Sequence, residues 1–369
     1  MKILMLMPDP AVKGSMARLG AKLADAMSRL EVDVVVCRWG RHADEESLLT
    51  SICGRVADIV HIRRLLGDGE FDVLFVNSAH DRRALMRDLP LLVATRGLAR
   101  RRVVQFHGSL SNELSMSGRF VMKAASRWLV RNADAVLVLS SEEVREWQAF
   151  EPAGSFRLVA NTYVHNAALE PCREDEMGKT QDAAPVVLFV GRLLASKGIY
   201  DLVEAVARVR QHVDCRLAFA GGGGDEEALW RLVRARGLER YVRLLGYLQG
   251  PELARAYRTA DVFALPSYTE GFPTVLAEAM DAGLPIVTTG IRGAVDHLAD
   301  GRNALFVPPG RVDLLADALH RVLVDEDLRR EMAAANRDKV RDFAPNVVAG
   351  DYLRLLDTVL KDRDERPVS

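Results

Sequence analysis

Short apolar runs alternate with longer amphipathic ones along almost the whole chain. In the first half the runs are KILMLM (2–7), VDVVV (32–36), DVLFV (72–76), RVVQF (102–106), AVLVLS (135–140) and FRLVA (156–160). Runs this rich in Val and Leu, joined by helices, predict a parallel sheet buried on both faces. The intervening stretches carry helical periodicity. In SMARLGAKLADAMSRL (15–30), for example, Leu19, Leu23, Ala26 and Leu30 share one face. The alternation breaks at ALEPCREDEMGKTQDAAP (168–185), where few apolar residues, mixed charges and two prolines read as an exposed linker. It then restarts with strands at 186–191, 215–220, 241–246, 261–266, 285–289 and 304–308. Helices fall near 199–212, 226–236, 251–260 and 274–282, and three helical stretches close the chain. The expected fold is α/β, with two doubly wound Rossmann-like domains. Their ligand site is expected in the cleft at the carboxyl ends of the strands.

Size and composition narrow this picture. A chain of 369 residues exceeds what one hydrophobic core usually serves, which agrees with two domains. The net charge of −1 gives no reason to expect nucleic-acid binding. Residues 1–165 hold 23 basic and 19 acidic side chains, so the first half is the one suited to an anionic surface. Cys37, Cys53, Cys172 and Cys215 form no metal-spaced cluster and read as reduced cytoplasmic thiols. The opening MKILMLMPDP is too short in apolar residues for a secretion signal. No run approaches the roughly 18–20 apolar residues of a membrane-spanning helix.

The chemistry concentrates in the second half. In VVLFVGRLLASKG (186–198), Arg192 and Lys197 follow a strand and precede a helix start. Two cations beside helix amides suit a diphosphate, although each taken alone is an ordinary surface residue. It is not a Walker loop, because GxxxxGK[ST] is absent. In EGFPTVLAEAMDAGLPIV (270–287), Glu270 sits before a helix expected to start near Thr274, and Glu278 lies among Leu276, Ala277, Ala279 and Met280. A carboxylate amid so much apolar surface either faces solvent or must be hydrogen-bonded. Ribose hydroxyls would satisfy Glu278, and sugar hydroxyls would suit Glu270. Glycosidases also pair carboxylates, about 5–10 Å apart, but a hydrolase has no need of neighbouring diphosphate signals. The glycines of AGGGGDEEAL (220–229) do not spell GxGxxG in a first βαβ unit, which argues against a nicotinamide dehydrogenase; a loose turn is the bland reading.

Over most of its length, and above all over residues 186–323, the sequence resembles retaining glycosyltransferases of family 4, which have the GT-B fold. The matching motifs are GRLLASKG, AGGGGDEEAL, RLLGYL, PSYTEGFPTVLAEAMDAGLPIV with its Glu-x7-Glu spacing, and DGRNALFVPPG. The resemblance implies that Arg192 and Lys197 bind the donor diphosphate, Glu278 the ribose and Glu270 the transferred sugar. Backbone groups of Gly271, Phe272 and Thr274 would line sugar and phosphates, with the base near Gly222 and Tyr247. It also implies that Gly14 approaches the donor phosphate, although Lys13-Gly14-Ser15 offers one glycine where the family usually has two. His107, in QFHGS, matches the histidine that lies near the reacting sugar carbon in this family; a lone histidine at a strand end is otherwise often structural. The domains would span 1–167 and 185–344 around a linker at 168–184, with the helix in 345–369 packing back on the first domain.

The implied reaction moves a hexose from a UDP-, GDP- or ADP-sugar to a glycan or lipid-linked acceptor, with retention and without a metal or other cofactor. Such a protein would serve polysaccharide, lipopolysaccharide or glycolipid synthesis in the cytoplasm or on the inner face of a membrane. Asp325-Glu326-Asp327 and Asp362-Arg363-Asp364 fit Asp-x-Asp but lie in charged helical sequence and read as solvated surface. GRFVMKAASRWLVRNAD (118–134) interleaves aromatic and aliphatic residues with Arg119, Lys123, Arg127 and Arg131, which suits an anionic membrane or equally a core-facing helix with a basic outer face. RGLARRR (96–102) adds to the membrane reading. An epimerase or hydrolase of the same fold, which would release free sugar, and a non-catalytic nucleotide-sugar binder are the alternatives.

Overall fold

The computed structural model describes residues 1–9, 15–40, 48–115, 118, 120–169 and 184–362. They belong to two compact units, Met1–Thr162 with the C-terminal stretch from Ala344, and Tyr163–Phe343. Each unit is built on a six-stranded parallel sheet.

The first unit runs β1 (Lys2–Met7), α1 (Ser15–Arg29), β2 (Asp33–Arg38), α2 (Leu48–Asp68), β3 (Val73–His80), α3 (Arg82–Ala94), β4 (Arg101–Ser109), α4 (Phe120–Arg131), β5 (Ala135–Val138), α5 (Ser141–Phe150) and β6 (Phe156–Leu158), with strand order β2-β1-β3-β4-β5-β6. The two-residue period of the strands divides its core. Leu4, Leu6, Leu74, Val76, Val104 and Phe106 face one side with Trp147 and Phe156. Ile3, Met5, Val73, Phe75 and Val103 face the other, under Leu23 and Met27 of α1 and Tyr352 and Leu356 of the last helix, α13 (Pro345–Lys361). All six strands lie where the apolar runs predicted them. β3 and β4 run on past those runs, because buried polar residues such as Asn77 and Ser78 continue β3 without an apolar signature.

Two of the four arginines of RGLARRR are taken up inside this unit, while Arg96 and Arg100 are exposed. Arg101 is 4% exposed and donates to the carbonyl oxygens of Val359 (2.9 Å) and Leu360 (2.8 Å), holding the end of α13 against β4. Arg102 donates to the Leu92 carbonyl oxygen at 3.2 Å. Terminal helix carbonyls lack intrahelical partners, and a buried guanidinium satisfies them.

The second unit runs β7 (Val186–Val190), α6 (Ile199–Val209), β8 (Arg216–Ala220), α7 (Glu226–Ala235), β9 (Val242–Gly246), α8 (Gly250–Thr259), β10 (Val262–Leu265), α9 (Thr274–Asp281), β11 (Ile286–Thr289), α10 (Gly293–His297), β12 (Ala304–Val307), α11 (Val312–Val324) and α12 (Glu326–Lys339). Its strand order is β12-β11-β10-β7-β8-β9. The chain leaves β7 toward β8 on one side and β10 toward β11 on the other, so β7 and β10 flank the topological switch point. Residues 163–167, expected to end the first domain, belong instead to this unit. The Tyr163 amide donates to the Phe343 carbonyl oxygen at 2.7 Å, and its hydroxyl donates to Asp281 at 2.7 Å. Asp325, one of the Asp-x-Asp carboxylates, caps α12 by accepting from the Leu328 amide at 2.9 Å. Asp362 ends α13 as its C-cap, and the rest of that second motif lies outside the described residues.

His80 lends the first unit a pH dependence. It is 1% exposed, lies 2.9 Å from the Ser126 hydroxyl and packs edge-on against Trp147. Burial holds its pKa down at about 4, against 6.5 for the free side chain. A depressed histidine pKa means that the unfolded chain binds more protons between those values. The stability tied to neutral His80 is therefore complete above pH 6.5 and is lost as pH falls toward 4, by about 3 kcal/mol in total. In urea unfolding followed between pH 7 and 4, His80→Gln is expected to show a correspondingly shallower loss than the native chain.

Candidate functional site

The predicted site residues of the second unit gather at the carboxyl ends of β7, β8, β9 and β10. The loop after β7 carries Arg192 and Lys197, and Gly198 leads into α6 with a left-handed φ of 68°. No side chain caps α6. The loop after β10 carries Glu270, Gly271 and Phe272, and Pro273 leads into α9, again without a side-chain cap. Two adjacent parallel strands thus feed two helices whose first-turn amides have no side-chain partner, a combination that favours anions.

The two loops pack to within backbone contact. A Cβ on Gly198 would sit 2.0 Å from the Pro266 carbonyl oxygen, and the Tyr268 amide donates to the Ser196 carbonyl oxygen at 2.9 Å. The glycine-rich loop after β8 closes on the β7 loop in the same way. Leu193 donates to the Gly222 carbonyl oxygen at 3.0 Å, and Asp225 accepts from the Ala195 amide at 2.6 Å. A Cβ on Gly221 would lie 1.9 Å from the Gly191 carbonyl oxygen, so these glycines permit a close approach and do not form a loose turn.

Within this frame Lys197 is ion-paired with Glu270, both largely buried, and Ser267 donates to the same Glu270 oxygen at 3.2 Å. Arg192 is exposed and makes no ion pair with the described residues. The Phe272 side chain stacks on Phe343 (4.9 Å, 9°) and meets His297 edge-on, so it is taken up inside the unit. The Gly271 carbonyl oxygen accepts from Gly293 at 3.1 Å. Its neighbour Arg292 is 8% exposed and holds φ at 39°, a value non-glycine residues seldom adopt. Glu278, one turn into α9, accepts from the Tyr257 hydroxyl at 2.8 Å. Tyr247, after β9, is 75% exposed, and Gly222 is partly so. Beside them a cavity of about 630 Å³ is lined by Gly223, Gly224, Trp230 and Leu244.

In the first unit His107 lies near the carboxyl end of β4. Its Nε2 lies 2.8 Å from Asn77 Oδ1, while Asn77 Nδ2 donates to the Leu6 carbonyl oxygen at 3.1 Å. That amide orientation makes Nε2 the donor and leaves the proton off Nδ1. Burial lowers the His107 pKa to about 4, so the ring is neutral at pH 7. Gly14 lies outside the described residues. Among those residues no group of three His, Cys, Asp or Glu side chains is placed to hold a metal ion.

Sequence reasoning missed Tyr257, Ser267, Trp230 and Asn77. Tyr257 carried a usable signal, since a tyrosine at an apolar helical position must bury its hydroxyl with a partner. Gly198→Ala is expected to destabilise the second unit by at least about 1 kcal/mol, through both the left-handed φ and the clash with Pro266. Gly224→Ala, with no heavy atom within 4 Å of its Cβ, should leave the thermal midpoint unchanged.

Two family models match the chain: "Glycosyltransferase Family 4" over residues 16–162 and "Glycosyl transferases group 1" over 173–339. A phosphatidyl-myo-inositol mannosyltransferase of Mycobacterium leprae is 33% identical over 305 residues, covering 81% of this chain and 76% of that protein. A GDP-mannose-dependent alpha-(1-6)-phosphatidylinositol monomannoside mannosyltransferase of Mycobacterium tuberculosis is 30% identical over 76% of this chain and 74% of its own length. Among solved structures, the sucrose-phosphate synthase of Thermosynechococcus elongatus superposes with a TM-score of 0.78 at 21% identity, over 97% of this chain and 98% of that one. With a relative this similar matched over three quarters of its length, and with two doubly wound sheets, the chain belongs to the family 4 glycosyltransferases and has their GT-B fold.

Proposed function

We propose that the chain moves a hexose from a nucleoside-diphosphate sugar to a glycan or lipid-linked acceptor, with retention of anomeric configuration. The observation that carries this reading is the pair of helix N-termini at the switch point, with Lys197 and Arg192 on one loop and Glu270 on the next. Arg192, Lys197 and the first-turn amides of α6 and α9 would take the diphosphate, with backbone groups of Gly271, Phe272 and Thr274 completing the lining. Glu270 would accept from sugar hydroxyls and Glu278 from the ribose. The base would lie near Gly222 and Tyr247, beside Trp230; whether it is that of UDP, GDP or ADP is decided by this region.

The chemistry follows from where charge develops. The bond between the anomeric carbon and the diphosphate oxygen breaks, and the acceptor oxygen bonds to that carbon on the same face. Its hydroxyl proton passes to the departing phosphate. Lys197, Arg192 and the helix amides stabilise the growing negative charge, a role that otherwise falls to a divalent metal. Glu270, already held by Lys197 and Ser267, is a weak nucleophile, which favours the route without a glycosyl-enzyme intermediate. His107, neutral and hydrogen-bonded, brings no charge at pH 7.

Two observations favour a lipid-linked acceptor. The two mannosyltransferases above are named for phosphatidylinositol substrates. On α4, Phe120 (81% exposed) and Val121 (85%) point to solvent with Trp128, beside Lys123, Arg127 and Arg131. Adjacent α3 exposes Arg82, Arg83 and Met86. Apolar and basic side chains on one outer face suit an anionic bilayer, on whose cytoplasmic side the enzyme would work. Among the described residues no helix is long and apolar enough to cross it.

Proton NMR of the product made from a nucleoside-diphosphate hexose tests the reading, in buffer with excess chelator. The anomeric coupling of donor and product should agree, and an inverted product would sink the mechanism. Lys197→Ala should lower kcat by about 10²–10³-fold, the usual effect of removing a group that stabilises developing charge. Phe120→Asp with Val121→Asp should abolish sedimentation with phosphatidylglycerol vesicles while leaving the thermal midpoint unchanged. Undiminished sedimentation would remove α4 from the membrane face.

A further inference from the structure

The geometry points to Tyr257 as the residue that positions Glu278 for the donor ribose, a role that rests on reading Glu278 as the ribose ligand. Tyr257 lies on α8 and is fully buried. Its ring packs on Phe263 of β10 at 6.0 Å, the planes inclined by 30°, and its hydroxyl donates to Glu278 Oε2 at 2.8 Å. Burial and the Glu278 charge push the Tyr257 pKa well up, so the hydroxyl keeps its proton and remains a donor at any working pH.

A glutamate side chain has three rotatable bonds, and a carboxylate one turn into a helix sweeps a wide arc unless something holds it. The rigid phenol of Tyr257 fixes one of its oxygens from within the protein and so sets the plane in which the carboxylate meets a ligand. The helix itself is also pinned. Asp281, one turn beyond Glu278 and 4% exposed, accepts from the Tyr163 hydroxyl (2.7 Å) and the Asn166 amide (2.9 Å) and lies 2.5 Å from His165 Nδ1. With α9 fixed in place, the Tyr257 bond holds one oxygen of the Glu278 carboxylate. A charge-assisted hydrogen bond from a preorganised donor also lowers the ordering cost when the ribose binds.

Tyr257→Phe removes the hydroxyl and keeps the ring, so the test reads binding of two probes by titration calorimetry. One is whichever of UDP, GDP and ADP the native chain binds best, and the other is its 2′,3′-dideoxy analogue. Tyr257→Phe should weaken the ribonucleotide about 5–10-fold and leave the dideoxy analogue unchanged. In a Glu278→Ala background the same change should add no further loss. In turnover, the donor KM should rise while kcat changes little. Equal weakening of both probes by Tyr257→Phe would make Tyr257 a structural residue only and overturn the proposal. Weakening by Glu278→Ala but none by Tyr257→Phe would overturn it too, while keeping the ribose assignment. If Glu278→Ala itself binds the ribonucleotide as well as the native chain, the ribose assignment falls, and the positioning role with it.

Discussion

Gly198 and Pro266 meet with no room between them for a methyl group, and the candidate site of the second unit is organised around that contact. It exists because β7 and β10 are neighbours in a parallel sheet whose connections diverge from that point. Parallel neighbours end at the same level, so the loops that leave them are forced together. Each loop then opens a helix whose first amides lack a side-chain cap. Positive potential from two helix ends and one arginine is thereby gathered at one place without burying an unpaired charge. Lys197 is satisfied by Glu270. A diphosphate arriving there would share the lysine without having to desolvate it afresh.

Much of this was legible in the amino-acid sequence, for identifiable reasons. Parallel strands are written as short Val- and Leu-rich runs, and the twelve strands of the described residues form where those runs fall. Arg192 with Lys197, and Glu270 with Glu278, were legible as candidates because each pair lies within one short loop-and-helix stretch. What stayed hidden depends on residues far apart in sequence. Tyr257 reaches Glu278 from another helix, and Tyr163 reaches Asp281 across more than a hundred residues. Asn77 gives no strand signal, yet it selects the tautomer of His107. The burial of Arg101 stayed hidden because a run of arginines looks solvated until a helix end is found lying on one of them.

The same logic bears on α4. At helical spacing its residues fit a core-facing helix and a membrane-facing one equally well. Met122, Ser126, Leu129 and Val130 are the ones buried, and Phe120 and Val121 are left outside. An exposed apolar pair is ordinary on its own. It gains meaning from the basic residues around it and from α3, which exposes Met86, Arg82 and Arg83. Arg127 and Arg131 both reach Glu151, so part of that charge is already spoken for, and Lys123, Arg82 and Arg83 carry the remainder.

The central claim is that a nucleoside diphosphate lies across the N-termini of α6 and α9, with its ribose on Glu278. A crystal structure with the best-binding nucleoside diphosphate, grown in excess chelator, tests this most directly. The account predicts phosphate oxygens within hydrogen-bond reach of the Lys197 ammonium and the first-turn amides, and ribose hydroxyls on the Glu278 carboxylate held by Tyr257. A nucleotide bound elsewhere, or one whose ribose faces away from α9, would contradict it.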